Sequence, residues 1–425
     1  MGDKIITTLP IKPQEKIKIG LCIAPLLSEV LRNSMDAKNI FSVNLLNTYD
    51  YKDNVLKNYL NKIKSLGINY DELYIDKDNS EKLIKCIQEM IKRNVIVEKE
   101  TPILRCKCCR IETPIESIRE YDDKALYYEK DGKLFCKICN EEAKPSIEKA
   151  LFLHLDKDTD TSIKIFPEYL KNACENFDKQ YKGKDYLITK KRNTGYSINY
   201  NGTNYNIDID ALWMNYINCF NSQEQVIIAS NHQLFEMYLM NYINKMYNNK
   251  DLHFIATPYL VSKNKKLDEQ FEKMRPLEVK LNLLFSLKWK TPDSTFNENA
   301  EKYLKSLDDE ELEKLYYQIQ SKTDKEDTKL QIKDVLLNNI NFQKALKKAN
   351  ALKKLQRTQG QLEKRLQDGK DLEHKIDTIR GEEIEKEWIF RNYKKNIKKV
   401  KLKIINYQIM TMRHLLCYIL SRIRI

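Results

Sequence analysis

Glycine is scarce in this chain, with 10 among 425 residues. The sequence contains neither G-x-x-x-x-G-K-[ST] nor G-x-G-x-x-G, the two glycine-rich loops whose backbone amides cradle phosphate groups. The P-loop nucleotidases and the dinucleotide-binding enzymes of the glycine-fingerprint type are therefore excluded. A nucleotide bound by this chain must be held by another device.

Long apolar runs are also lacking. No stretch reaches the ~18 uninterrupted apolar residues of a membrane-spanning helix. The nearest candidate, 404–420, is interrupted by Asn406, Gln408, Arg413 and His414. It predicts a packed or amphipathic helix. The N-terminus, MGDKIITTLPIKP, lacks the pattern of a signal peptide. We therefore expect a cytoplasmic protein without a membrane partner.

Positive charge is in excess, with 74 basic and 61 acidic residues and a formal net charge of +13. This balance favours a polyanionic partner such as RNA, although lysine-rich proteins without one are common. The hydrophobic content of 42% is enough for packed cores. A chain of this length is expected to form two or three domains.

Cysteine is used in a pattern that favours metal binding over disulfides. Cys106 and Cys109 form one C-x2-C knuckle, and Cys136 and Cys139 form a second. Two such knuckles close a tetrahedral four-thiolate site for Zn²⁺. Four thiolates leave no open coordination position, so the zinc is expected to be structural. The alternative is four reduced cysteines without a metal, and Cys108 is a further candidate ligand.

The sequence before the second knuckle, LYYEKDGKLFC, predicts a hairpin. Two short strands flank Asp131-Gly132, a dipeptide typical of a tight two-residue turn. Such a hairpin is the framework that a zinc ribbon needs.

The order of elements predicts an α/β fold. Residues 4–8 read as a buried strand, 19–35 as a helix and 41–46 as a second strand, and a crossover of that length implies a parallel pair. Amphipathic helices at 51–66 and 80–93 flank a short strand. Further strands are predicted at 208–213, 226–230 and 252–257, with a helix at 232–247 between the last two. From 276 onward helices are predicted at 276–288, 297–321, 328–358, 361–379 and 383–424.

Four parts follow from this pattern. We predict the first half of a Rossmann-like (HUP) parallel-sheet catalytic domain at 1–100 and an inserted zinc ribbon at 101–145. The second half of the Rossmann-like domain is predicted at 146–275, and an all-α, basic C-terminal domain at 276–425. The segment 391–403 carries seven basic residues and no acid. It favours either contact with an RNA backbone or a solvated helix face.

Several short motifs occur in an order that resembles the class I aminoacyl-tRNA synthetases, above all the methionyl type. KIITTLP at 4–10 is similar to the first strand of that family, and Lys18-Ile19-Gly20-Leu21 falls at its His-Ile-Gly-His signature. The four-cysteine ribbon follows a similar stretch at 65–100. The resemblance continues to about residue 305. Its later parts are 192–196, 209–213, 226–240, 253–261, 263–267 on the Lys-Met-Ser-Lys-Ser loop, and 274–296.

The resemblance implies an activity and a set of site residues. Family members bind ATP with Mg²⁺, form an aminoacyl adenylate and transfer the aminoacyl group to tRNA. The catalytic candidates are Lys18, Lys263 and Lys266, with a solvated lysine-rich loop as the alternative for the last two. The nucleotide-binding candidates are Gly20, Lys18, Lys266 and His232. His232 follows a predicted strand where ligand crevices form, and the alternative is a core or capping histidine. The candidates for the substrate pocket are Asp50, Trp213 and Tyr196, with aromatic core packing as the alternative for the last two.

Departures from the family pattern leave two other functions open. Lys18 and Leu21 stand where the first signature has histidines, and Asn47-Thr48-Tyr49-Asp50 replaces Asp-[DE]-His-Gly. Lys18 still offers positive charge, but Leu21 donates no hydrogen bond. One alternative is therefore a catalytically inactive protein that binds tRNA, or a protein partner through its helical C-terminal part. The other is an amino-acid-adenylating enzyme of a small-molecule pathway.

Overall fold

The computed structural model of this protein describes residues 4–15, 17–46, 53–106, 112–114, 127–137, 139–191, 195–261 and 271–336, with positions 360, 361, 364, 367 and 368. The chain divides into two compact units. The first contains 1–296 and 307–335, and the second contains 297–306 and 336–425.

The strands of the described residues are numbered in chain order. They are β1 (Lys4–Thr8), β2 (Lys38–Val43), β3 (Glu72–Ile75), β4 (Ile96–Arg105), β5 (Glu112–Pro114), β6 (Tyr127–Lys130), β7 (Lys133–Cys136), β8 (Glu142–Ala143), β9 (Pro145–His154), β10 (Ile165–Phe166), β11 (Asp185–Leu187), β12 (Tyr196–Tyr200), β13 (Thr203–Ile207), β14 (Glu224–Ser230), β15 (Asp251–Thr257), β16 (Tyr259–Val261) and β17 (Asp293–Thr295).

The α-helices are numbered in the same way. They are α1 (Ile23–Met35), α2 (Asp53–Ser65), α3 (Ser80–Lys92), α4 (Lys171–Tyr181), α5 (Ile209–Trp213), α6 (Leu234–Tyr247), α7 (Pro276–Ser286), α8 (Glu298–Leu304) and α9 (Asp309–Ile319). A further helical stretch covers 328–336. None of the helices in the described part of the chain combines the length and the apolar character that crossing a membrane requires.

A six-stranded parallel sheet forms the centre of the first unit, in the order β10-β15-β14-β1-β2-β3. The parallel sheet predicted from the sequence is therefore confirmed. The connections leave β1 in opposite directions, toward β2 and β3 on one side and toward β14 and β15 on the other. Such a reversal creates a crevice outside the carboxyl ends of the two strands at the switch point, which here are β1 and β14.

Helix α1 buries the apolar face that its sequence spacing predicts. Leu26, Leu27, Val30 and Leu31 are at most 1% exposed, and the helix contacts β1, β2 and β14. It ends at Asp36, which adopts the left-handed conformation (φ 52°). The chain then turns directly into β2, which begins at Lys38, three residues before the predicted strand.

An antiparallel sheet in the order β11-β9-β4-β5 follows α3. Its two long strands, β4 and β9, pair from Ile96 opposite Leu153 to Leu104 opposite Pro145. They lead to a small sheet in the order β6-β7-β8. Asp131 and Gly132 connect β6 to β7 with φ angles of 52° and 72°. These positive angles fit the turn that an Asp-Gly dipeptide favours, and the predicted hairpin is confirmed.

Two predicted elements are wrong. The run 208–213 is not a strand: Asp208 precedes the short helix α5, and Leu212 N donates to Asp208 O at 3.0 Å. Burial on several sides leaves this short apolar run without a periodicity that separates helix from strand. The single helix predicted at 297–321 is two helices, because Asp308 and Glu311 form a reciprocal capping box that begins α9.

Several predicted features lie outside the described residues. They include the helices beyond 336, apart from five positions, and the basic segment 391–403. The zinc ribbon as a metal site, the all-α C-terminal domain and the four-part division stay predictions.

Candidate functional site

The backbone after β1 crosses the carboxyl ends of the neighbouring strands. Leu9 N donates to Ile228 O on the β14 side at 2.9 Å, and Ile11 N donates to Ser42 O on the β2 side at 2.9 Å. The chain then reaches a 3-10 turn at Ile19–Cys22 that runs directly into α1. The switch-point crevice is therefore bordered by this turn.

Lys18 and Gly20 lie at that turn and are both exposed. Lys18 is the extended residue that precedes the turn, with φ −75° and ψ 132°, and Leu21 N donates to its carbonyl oxygen at 3.0 Å. A Cβ added to Gly20 would meet no heavy atom of the described residues within 4 Å. Packing within the described protein therefore does not require a glycine here, and the backbone is open to the approach of a ligand.

His232 lies at the other border of the crevice, directly after β14. A capping box joins Ser230 and Gln233, and His232 N donates to the Ser230 hydroxyl oxygen at 3.4 Å. The imidazole is exposed, and its ring contacts Tyr259 edge-on at 5.1 Å between centroids. The position that the sequence predicts, at the end of a strand, is confirmed. A role in nucleotide binding stays a prediction.

Asp76 follows β3 and was not singled out from the sequence. Its side chain is fully buried, and Oδ1 accepts hydrogen bonds from Leu45 N at 2.7 Å and Leu46 N at 3.1 Å. Burial raises the pKa of this carboxyl to about 6, although the two backbone amides act to lower it. Its position in the sequence could have identified Asp76 as a candidate site residue, because a carboxylate directly after a parallel strand lies at the ligand-binding edge of the sheet.

Trp213 lies against this carboxyl group. Its indole acts to lower the pKa of Asp76. The buried atoms Trp213 Nε1 and Asp76 Oδ2 nevertheless form no well-aligned hydrogen bond within the described part of the chain. The indole is 5% exposed and belongs to the main apolar core. Trp213 therefore packs in the core at the end of β3, and its role at a substrate pocket stays a prediction.

Tyr196 begins β12 near the same strand ends. The preceding residue, Gly195, donates its N–H to Leu46 O at 3.2 Å. Gly195 has φ +99°, and a Cβ there would lie 2.2 Å from Ile207 O, so the close approach requires glycine. The half-buried Tyr196 also packs against the main core. Tyr196 and Trp213 thus belong to one region, around the carboxyl ends of β2 and β3.

Three carboxylates, those of Asp208, Asp210 and Glu236, lie near the start of α6. Burial, and secondarily the charge of Asp210, raise the pKa of Glu236 to about 7. Its Oε2 is buried and has no hydrogen-bond partner among the residues that the structure describes. Asp208, which is 3% exposed, forms an ion pair with Lys190. Sequence reasoning missed Glu236, although its place in the first turn of the helix after β14 was an available signal.

Three of the predicted catalytic and substrate-pocket residues lie outside the described part of the chain. They are Asp50, Lys263 and Lys266. Their assigned roles stay predictions.

Three of the four predicted zinc ligands lie together. The Sγ atoms of Cys106, Cys136 and Cys139 are within 4.8 Å of one another, and those of Cys106 and Cys139 are 3.4 Å apart. Sulfur ligands of a tetrahedral zinc lie about 3.7 Å apart, given Zn–S bonds of about 2.3 Å. The convergence of three thiols fits a zinc ion. Cys109, the fourth predicted ligand, and Cys108 lie outside the described residues.

Comparison with known proteins gives a result only at the level of structure. No protein-family model matches this sequence, and no curated protein matches it. A solved structure of Mycobacterium tuberculosis methionyl-tRNA synthetase in complex with methionyl-adenylate superposes with a TM-score of 0.54 at 12% identity, over 71% of this chain and 67% of that one. The fold of this chain is therefore similar to that of this methionyl-tRNA synthetase structure.

Two further structures of the Mycobacterium tuberculosis enzyme agree with this fold. A second one bound by methionyl-adenylate gives a TM-score of 0.55 at 11% identity, over 71% of this chain and 68% of that one. The apo form gives 0.53 at 12% identity, over 70% and 64%. At such low identity the likeness establishes the synthetase fold alone, and the aligned part spans about two thirds of each solved chain.

Proposed function

We propose that this chain is an aminoacyl-tRNA synthetase of the methionyl type, which activates an amino acid with ATP and transfers it to tRNA. The observation that carries the proposal is the open backbone at Gly20, beside the switch-point crevice of a synthetase fold. The solved synthetases that resemble it include two with bound methionyl-adenylate. An adenylate in the crevice is the ligand that this likeness favours.

The proposed first step is an in-line displacement at the α-phosphate of ATP. A carboxylate oxygen of the amino acid forms the new P–O bond, and the bond to the pyrophosphate oxygen breaks. The nucleophile is already an anion, so the step needs no general base. Catalysis then depends on holding the reactants in line and on positive charge near the transferring group.

Three lysines are proposed to supply that charge. Lys18 is exposed at the turn before α1. Lys263 and Lys266 come shortly after β16 in the sequence. Magnesium accompanies ATP as part of the substrate. Gly20 lets the nucleotide approach the backbone, and His232 is proposed to contact it from the end of β14. Asp50, Tyr196 and Trp213 are proposed to line or support the substrate pocket.

We further propose a structural zinc ion held by Cys106, Cys109, Cys136 and Cys139. Four thiolates bind zinc without an open position, so it fixes the ribbon and takes no part in amino-acid activation. The four-part division of the chain belongs to the same proposal, with tRNA as partner of the basic segment 391–403.

A catalytically inactive synthetase-like protein is the second candidate. Leu21 favours it, because a half-buried leucine in the first signature offers no hydrogen bond to a phosphate group. Such a protein would bind tRNA or a protein partner. A small-molecule adenylating enzyme is the third candidate and differs from the first in needing no tRNA.

The test is isothermal titration of ATP, and of a non-hydrolysable aminoacyl-adenylate analogue, into the full chain. Tighter binding of the analogue than of ATP supports an adenylation site, and an amino-acid panel in ATP–pyrophosphate exchange then identifies the substrate. Co-purifying tRNA separates a synthetase from a small-molecule enzyme. Failure of both ligands to bind at about 1 mM, a free energy of about −4 kcal/mol, rules out the enzyme and favours the inactive protein.

A further inference from the structure

A polar groove lies at the opposite edge of the central sheet from the switch-point crevice. It has a volume of about 500 Å³, which is in the usual range for small-molecule sites. Its walls come from α3, from the 3-10 turn at Tyr216–Cys219 and from the end of α6. Gln223 and Lys250 line it directly before β14 and β15, at the amino ends of these strands. The groove is therefore separate from the proposed adenylation site.

Positive charge predominates in this groove. Lys85, Arg93 and Lys250 line it, against the single carboxylate of Glu89. Glu89 already forms an ion pair with Lys92 at 2.6 Å, and that pair lowers the pKa of its carboxyl. The remaining charge of the lining favours an anionic occupant.

Lys250 is fixed with its ammonium group in the wall of the groove. Its Nζ donates to Ile217 O at 3.0 Å and to Phe220 O at 2.7 Å. An ammonium group has three donors, so one remains for a ligand. Burial lowers the pKa of Lys250, and an anion in the groove would offset that effect of desolvation.

Arg93 covers one wall of the groove. Its exposed guanidinium lies over the Tyr247 ring, 5.1 Å from the ring centroid. This cation–π contact places a positive charge beside the groove. Arg93 and Tyr247 both line it, at the end of α3 and the end of α6.

We propose that this groove binds a small phosphate ester. A phosphate group would accept a hydrogen bond from Lys250 and would pair with the exposed side chains of Arg93 and Lys85. The volume leaves room for an organic group beside the phosphate. The proposal is independent of the activity proposed above, since it uses none of the residues of the crevice.

The half-buried Cys86 provides a local test, because it lines the groove and is separate from the thiol cluster of the ribbon. The rate of its alkylation by iodoacetamide, at about pH 8, is followed by peptide mass spectrometry. Ribose 5-phosphate, inorganic phosphate and ribose serve as probes at matched ionic strength. We expect ribose 5-phosphate to slow the reaction about five-fold at several times its Kd, and ribose to leave the rate unchanged.

Two variants and one control complete the experiment. Arg93→Gln and Lys85→Gln are expected to lose most of the protection. Lys64→Gln removes one charge from an exposed position of α2 that does not line the groove, and it should retain the protection. The same protection in all variants overturns the proposal. So does protection by ribose, the absence of protection at about 10 mM ribose 5-phosphate, or protection by an RNA oligomer alone.

Discussion

Lys280 Nζ lies 3.0 Å from Glu29 Oε2, and both side chains are 4% exposed. The pair joins α7 to α1. Lys280 also donates to Gly67 O at 2.6 Å, and the Tyr316 hydroxyl donates to Glu29 Oε2 at 2.8 Å. The ammonium group lies 4.4 Å from the centroid of the Tyr316 ring. Two buried charges are thus held in a closed network that connects α1, α7 and α9 within the first unit.

Lys280→Met is expected to lower the free energy of unfolding by about 3–5 kcal/mol, because it leaves the Glu29 carboxylate buried without its cation. Urea denaturation at neutral pH measures the change. The double variant Glu29→Gln/Lys280→Met should recover part of the loss. Lys314→Met removes an exposed ion pair with Glu310 and should change stability by less than about 1 kcal/mol. Equal losses at the buried and the exposed lysine would falsify the role given to the network.

The cluster of Cys106, Cys136 and Cys139 thiols leads us to expect bound zinc in the purified protein. The purified chain should contain one zinc ion per molecule, measured by inorganic mass spectrometry. Cys136→Ser should abolish most of it, because thiolate ligands are replaced poorly by a hydroxyl group. Cys174→Ser, at a buried cysteine outside the cluster, is the control and should keep the zinc. A metal-free chain that retains an intact ribbon in limited proteolysis would show that the four cysteines are only reduced core residues.

The raised pKa of Glu236 is expected to make the stability of the folded protein depend on pH. Its folded pKa is raised to about 7, above the value near 4.5 expected in the unfolded chain. The carboxyl therefore contributes stability that is present below the unfolded pKa and is lost as the pH rises through about 7. Glu236→Gln should stabilise the protein by about 1–3 kcal/mol at pH 8 relative to pH 5.

Thermal unfolding of Glu236→Gln and of a matched variant at both pH values checks this expectation. Glu313→Gln, at an exposed position of α9, should show no such difference between the two pH values. A Glu236→Gln effect of the same size at both would mean that this carboxyl does not titrate between them.

Alanine substitutions at Gly20 and Gly195 are expected to affect stability differently. Gly20→Ala should fold with an unchanged melting temperature, because the added methyl group meets no atom within 4 Å. If a nucleotide approaches this backbone, the same variant should weaken ATP binding at least about ten-fold, or about 1.4 kcal/mol. Isothermal titration measures it, and unaltered affinity contradicts the close approach.

Gly195→Ala is the structural counterpart. It should lower the free energy of unfolding by more than about 1 kcal/mol, since its φ of +99° and the 2.2 Å contact with Ile207 O are incompatible with a side chain. Wild-type stability in Gly195→Ala would show that the β12–β13 hairpin can shift without cost.

Local patterns predicted the features that depend on neighbouring residues. The hairpin around Asp131-Gly132 was predictable because the dipeptide itself favours the positive φ angles of its turn. The strand–helix–strand order at the N-terminus was enough to predict a parallel sheet, since a crossover of that length has few other solutions. The 208–213 run was misread because a short segment that is buried on several sides shows neither helical nor strand periodicity.

Patterns along the chain were enough to predict the α/β class, the parallel sheet, the ribbon hairpin and the positions of candidate residues at strand ends. Three contacts are visible only in the folded chain: Asp76 lies under Leu45 and Leu46, Glu236 is near Asp210, and Arg93 covers Tyr247. Such pairs depend on how strands and helices pack over long separations along the chain. Burial and the resulting pKa shifts arise from that packing, whereas turn type and helix caps arise from the residues beside them.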